Sequence, residues 1–327
     1  MRVLLTLVAA LALVSSAGGC GGSDTPTVEE QAAPTTKQKP AVKEIDVGAA
    51  PTSVVVSDGW VWVVRNQGDT VVRLDPQSGK LVGEPIPAGN GALSAAAEGG
   101  SVWVANMFDD TVTRIDSRSD RVVGKPIPVG DRPMAIAAGE GSVWVFNTLG
   151  GSVTRNDGTT GKVLSTSPRV VGRAAGNPDY AGIAVADGSV WVISPTEGTI
   201  VRLDADSNRP QGKPIEVGAG PTGITVAEGS VWVANPDVGT VTRIDARTGK
   251  ILGEAIAVEG QPVAVATGVG AVWVADRAGA VTRIDTESNG PVGEPIPVAG
   301  SPLSLAVGDG AVWVANPFNS TVARIGT

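Results

Sequence analysis

Short apolar runs alternate with polar, glycine-containing breaks along most of the chain, and they do so at a fixed spacing. Val-Trp-Val recurs with its tryptophan at Trp62, Trp103, Trp144, Trp191, Trp232, Trp273 and Trp313, in steps of 41, 41, 47, 41, 41 and 40 residues. The stretch from Pro221 shows one full period: PTGITVA, SVWVAN, TVTRID and ILGEAIAV, separated by Glu228-Gly229, PDVG and ARTGK. The runs are short and β-rich, and the 3.6-residue periodicity of helices is absent. Asp-Gly pairs at 58, 187 and 309 stand where the first and second runs meet. Such pairs accept the positive φ of the turns that join twisted antiparallel strands.

A period of about 40 residues holding four short strands marks a β-propeller blade. The seventh copy stops at TVARIGT, after its third strand, while KEIDVG at 43–48 matches the fourth-strand segments KPIPVG at 125–130 and KPIEVG at 213–218. A strand from the N-terminal side that completes the last blade would remove the open seam of the ring. The expected fold is all-β: a seven-bladed β-propeller of four-stranded antiparallel blades over 43–327, closed by an N-terminal strand completing the last blade.

Neighbouring blades of such a ring pack face to face, so one tryptophan per repeat can fill the same gap each time. The seven Val-Trp-Val tryptophans are therefore assigned to structure. Burying about 200 Å² of indole at roughly 25 cal/mol/Å² stabilises by about 5 kcal/mol before entropy is subtracted. Trp60 replaces the serine or alanine of the other copies and is expected to be partly exposed. Strand three carries an arginine in every copy (73, 114, 155, 202, 243, 283 and 324), followed two residues later by aspartate in all but the last. Residues i and i+2 share a strand face, so these are expected to form a repeated structural charge and hydrogen-bond pattern with neighbouring strands. DADSN at 204–208 lacks the glycine and glutamate of a calcium loop and aligns with plain turns.

By these residues, VWVANPDVGTVTRID followed by TGK, the chain resembles the YVTN-type β-propeller repeat family, with tryptophan in place of tyrosine. The blades also resemble the virginiamycin B lyase-like propellers. The resemblance covers roughly 43–327 and specifies fold far more than function.

The N-terminus adds a compartment. Arg2, the apolar run Val3 to Val14 and Ala17-Gly18-Gly19 have the order of an export signal over 1–19. AGGC resembles the lipobox of bacterial lipoproteins, which makes Cys20, the only cysteine, the expected lipidated residue and leaves no disulfide within one chain. Residues 20–42 hold almost no large apolar side chain and are expected to be a flexible tether. The expected location is the outer face of the cytoplasmic membrane, held by the lipid. A formal charge of −8 with dispersed basic residues argues against nucleic acid as a partner.

Departures from the shared repeat mark positions that the scaffold does not dictate. They gather in the strand two to three loops and the strand four to one connections, which share one face of an up-and-down blade. Met107, Phe108, Met134, Phe146, Tyr180 and Phe318 fall there, with the charges Arg65, Arg132, Asp179 and Arg277 and a six-residue excess at RAAGNPDY, 173–180. This set is the candidate ligand-binding surface, with Phe108, Tyr180 and Phe318 as anchors. The alternative for Phe146 is packing within its strand.

Catalysis has less to work with. The chain contains no histidine and no cysteine after residue 20, which removes histidine-based acid–base chemistry, Ser-His and Cys-His nucleophiles and histidine metal sites. The lyase family that the blades resemble uses histidines with a glutamate and a metal, and those histidines have no counterpart here. Carboxylates at Asp69, Asp109, Asp110, Asp179, Glu197 and Asp237 remain on the candidate face. The inner strands offer only Ser53, Ser94, Ala135, Gly182, Gly223, Ala264 and Ser304 at their third positions. The expected function is a non-enzymatic, membrane-tethered recognition module, monomeric and without cofactor, binding an envelope protein, peptide or glycan. The alternative is a lyase or hydrolase acting through carboxylates or an oxygen-ligated metal ion.

Overall fold

A computed structural model of the chain describes residues 40–172 and 181–327. The expected export signal, Cys20, nearly all of the tether, and the segment with Asp179 and Tyr180 lie outside the described residues.

The first blade comprises Pro51–Ser57, Trp60–Arg65, Thr70–Leu74 and Leu81–Pro87, paired antiparallel in that order. Six more sheets repeat it, which makes seven blades. The seventh is assembled from both ends: Ser304–Gly308, Ala311–Asn316, Thr321–Gly326, then Val42–Asp46 as the outermost strand. Val42 faces Ile325 and Asp46 faces Thr321. The closing strand thus begins one residue earlier than KEIDVG suggested. Its side chains also tie down the neighbours, since Lys43 Nζ donates to the Ser78 carbonyl at 2.7 Å and Glu44 Oε1 accepts from Ala299 N at 2.9 Å.

The core lies between blades, and strand two builds it. Val61 and Val63 face the last blade and meet Trp313, whereas Trp62 faces the second blade and meets Val102 and Val104. The same handover continues round the ring, through Trp103 on Val143 and Val145 to Trp273 on Val312 and Val314. All seven of these tryptophans are buried. A period-two strand presents alternate residues to opposite faces, which is how one tripeptide serves two gaps at once.

Strand three supports these rings from one side. Each of its arginines lies over the tryptophan beside it, as Arg243 does over Trp232 at 4.7 Å from the ring centroid. Nε of Arg114, Arg155, Arg202 and Arg243 donates to the serine that opens strand two. Nη1 of Arg155, Arg202 and Arg243 reaches a turn carbonyl of the next blade. The aspartates two residues on behave otherwise than expected. Among the described residues they make no ion pair with these arginines but close the strand three to four turn: Asp245 Oδ1 accepts from both the backbone N and Oγ1 of Thr248 at 2.6 Å. The hydroxyl and amide donors hold the Asp245 carboxyl below the usual carboxylate range, and Asp75, Asp116, Asp157, Asp204 and Asp285 are lowered in the same way. Among the described residues only Arg73 of these arginines takes a carboxylate, that of Asp120 in the next blade at 2.7 Å, and it covers Trp60, which is partly exposed as expected.

Two features depart from the expected strands. ILGEAIAV is not one continuous strand: Ile251 makes a lone bridge to Ile244, and pairing resumes at Ile256–Ala257. Gly253 stands between them at φ 70, a left-handed residue that bulges the edge, and blades two, four and six break at the corresponding Gly124, Gly212 and Gly293. The strand one to two turns, by contrast, are uniform. All seven have positive φ at both corner residues, including Glu140, Glu228 and Val269, where sequence gives no Asp-Gly signal.

Candidate functional site

The two-to-three loops and four-to-one connections do share a face. Backbone bonds join them in pairs, as Asn66 N to Ala50 O, Met107 N to Gly91 O and Arg277 N to Gln261 O show. Side chains fasten them from below. In the second, third, fifth and seventh blades strand two ends on a wholly buried asparagine, and in the second blade Asn106 Nδ2 donates to Thr111 and Thr113 while its Oδ1 accepts from Gly89 N at 3.0 Å. Asn147 repeats the arrangement with Thr154 and Gly130 N. This clamp sets the height of the crown, and only the recurrence of VWVAN hinted at it.

In the sixth blade the clamp residue is Asp276, which is buried and accepts from Ala280 N at 3.2 Å. Burial pushes its carboxyl above the usual range, against the lowering effect of backbone donors. It is the one carboxylate near this face with a raised pKa among the described residues.

The candidate residues do not form one patch. Phe108 and Phe318 stand out from the two-to-three loops of the second and seventh blades, 64% and 84% exposed. Met107 is half-buried beside Phe108. Phe146 is a correction: at 2% exposure it packs with Trp144, Val153 and Ile183 in the gap between the third and fourth blades, so it is core and not surface. Met134 is also buried, at the mouth of the central channel. Arg65 is half-buried, with Nη1 on the Val47 carbonyl at 3.1 Å and Nε and Nη2 on Thr70, so it ties the first blade to the closing strand. Arg132 is half-buried and its backbone N donates to Asp110 Oδ1 at 2.7 Å, while Arg277 is exposed. Leu149 and Val238, 45% and 54% exposed on two further loops of this face, extend the apolar tips of the crown. Their pattern is visible only once the loops are superposed on the ring.

The carboxylates of the face serve its loops. Asp69 Oδ1 accepts from Gly91 N and Ala92 N, Asp109 Oδ2 from Asn90 N, and Glu197 Oε2 from Ser194 Oγ. Among the described residues no group of three acidic side chains could hold a metal ion. The central channel has a cavity volume of about 270 Å³, and among the described residues none that lines it is titratable. The third positions of the inner strands are small because the strands crowd together at the axis. A Cβ on Gly223 would lie 2.9 Å from Ala264 Cα, and one on Gly182 would lie 2.5 Å from Ile193. The hydroxyls are spent on the same crowding: Ser53 Oγ accepts from Ala95 N, and Thr52 and Thr222 donate to the Leu93 and Val263 carbonyls of the next blades.

Fold and crown together define a seven-bladed propeller with a loop face carrying separated apolar tips around a narrow channel, which the described residues line without charge. No family model and no curated protein sequence matches the chain. Solved structures do. Virginiamycin B lyase from Staphylococcus aureus superposes with a TM-score of 0.73 at 18% identity, over 88% of this chain and 100% of that one. Kuenenia stuttgartiensis hydrazine synthase matches with a TM-score of 0.73 at 16% identity, over 86% and 97%. The WD40 β-propeller domain of Doa1 gives 0.69 at 15% identity, over 89% and 96%. At these identities the likeness is one of fold.

Proposed function

We propose that this chain is a non-enzymatic recognition module that binds a protein, peptide or glycan of the cell envelope through its loop face. The observation that carries the reading is the contrast within that face. Aromatic and aliphatic tips stand exposed on hydrogen-bonded loops, whereas the described residues that line the channel beneath them offer nothing titratable. In the same reading the chain is exported, cut before Cys20, lipidated there and held on the outer face of the cytoplasmic membrane by the tether. The lyase relatives by fold sharpen the point. The form of the Staphylococcus aureus enzyme solved with quinupristin is catalytically inactive through replacement of a histidine by alanine, and this chain contains no histidine.

Replacing Phe108, Tyr180 and Phe318 together by alanine is expected to abolish retention of the envelope component that the full chain captures from an extract. The unfolding temperature should not fall, since the two described rings contribute little to the core. Undiminished capture by a folded triple variant would defeat the reading.

A further inference from the structure

Phe108 is exposed without being loose. Its loop is held to the preceding connection by Met107 N on Gly91 O, Phe108 N on Asn90 O and Asn90 N on Asp109 Oδ2, at 3.0, 3.2 and 2.8 Å. The ring lies against Gly91, where a Cβ would come within 2.6 Å of Cδ2. One side of the ring is therefore seated on backbone, and the rest is open. A fixed aromatic ring of this kind can stack a partner group at little entropic cost.

The charges nearby select which group. Asp109 and Asp110 follow the ring directly, and Asp131 lies in the connection that Asp110 caps. On the far side of the first blade Asp46 adjoins the loop of Phe318, whose Ser320 carbonyl accepts from Val47 N. These four aspartates are exposed, whereas Arg65 and Arg132 on the same arc are half-buried. The outermost charge around both rings is negative.

We propose that the arc from the seventh blade through the first to the second binds a cationic polypeptide segment with apolar side chains, an arginine or lysine of which stacks on the open side of Phe108. The inference rests on the recognition reading above and adds the chemistry of the partner. A cation over an aromatic ring is stabilised by the ring quadrupole, and adjacent carboxylates add to that attraction. Phe318 then receives an apolar side chain of the same segment.

The test uses the full chain and three synthetic peptides of about twelve residues, alternating Arg with Leu, Arg with Ser and Glu with Leu, titrated by calorimetry at low and high salt. The Arg-Leu peptide is expected to bind roughly tenfold more tightly than either of the others. F108A should weaken the Arg-Leu and Arg-Ser peptides alike without lowering the unfolding temperature, F108W should restore their binding, and F318A should remove the advantage of Arg-Leu over Arg-Ser. D109N/D110N should weaken binding and flatten its salt dependence. Equal binding of Arg-Leu and Arg-Ser peptides, unaffected by F108A, would reduce the effect to the diffuse attraction of an acidic protein and overturn the proposal. Preference for the Glu-Leu peptide would overturn it as well. If the triple variant loses its captured envelope component while no peptide preference is found, the recognition face stands and the cationic chemistry falls.

Discussion

At the scale of single residues, the informative positions are those where a blade departs from the residue that most copies share. Asp276 occupies the place of the buried asparagine clamp, but a carboxylate cannot donate to the strand-three threonine as Asn106 does to Thr113. Burial raises its pKa, so the folded chain holds that proton to a higher pH than the unfolded chain does. The penalty is absent well below about pH 4, grows as pH rises, and is complete above the folded pKa. Asp276→Asn is therefore expected to stabilise the chain at neutral pH by about 1 kcal/mol, or roughly 2–4 °C in unfolding temperature, and to have no such benefit in acid. Calorimetry of both proteins across pH checks this, and a gap that widens as pH falls would contradict it. Sequence showed the asparagine only as the last letter of VWVAN. Its purpose needed the contact with Gly89 N, which is made by a residue from the preceding connection.

At the scale of elements, the hairpin turns show what local sequence encodes and what the ring imposes. Asp58-Gly59, Asp187-Gly188 and Asp309-Gly310 were readable because Asp and Gly tolerate the left-handed region. Val269-Gly270 was not, yet Val269 adopts φ 54 there with its side chain 58% exposed. A β-branched residue in that region is strained by about 1–2 kcal/mol, and the pairing of Pro262–Gly268 with Ala271–Asp276 holds it in place. Val269→Asn should raise stability by about 1 kcal/mol, because little packing is lost and the turn is unchanged. A chemical denaturation curve with an unshifted or lowered midpoint would speak against the strain. The fourth strands mark the opposite failure of local reading. ILGEAIAV reads as one apolar run, but Gly253 bulges within it, as Gly124 and Gly212 do in VGKP and QGKP, so continuity of pattern does not carry continuity of pairing. The candidate site divides along the same line. Exposed Phe108 and Phe318 sit in loops, where departure from the repeat reflects surface freedom, whereas Phe146 sits within strand two, where the gap between blades accepted a larger side chain.

At the scale of the whole molecule, the ring has one covalent discontinuity, and the closing strand spans it. Period, blade number and closure were legible because each blade must satisfy the same two neighbours, which forces the same residues to recur. Closure itself rests on a few contacts. Ile45 and Val47 are buried at 7% and 1% exposure among Val72, Leu74 and Val322, and the ladder from Val42 to Asp46 covers the edge of Thr321–Gly326. Lys43 and Glu44 reach the first blade and the connection into the seventh. Burying the two aliphatic side chains is worth about 2–3 kcal/mol each, and the ladder adds to this. Deleting residues 40–47 should thus lower the unfolding temperature by at least about 10 °C, since roughly 5 kcal/mol is lost and each accounts for about 2–4 °C. The deletion also bares a strand edge able to pair with another chain, so the variant should associate with itself. A synthetic peptide of residues 40–48 should reverse both effects by re-forming the outer strand in trans. If the deleted chain unfolds at the temperature of the intact one, the seventh blade is stable with three strands and the closing strand is a covering rather than a clasp.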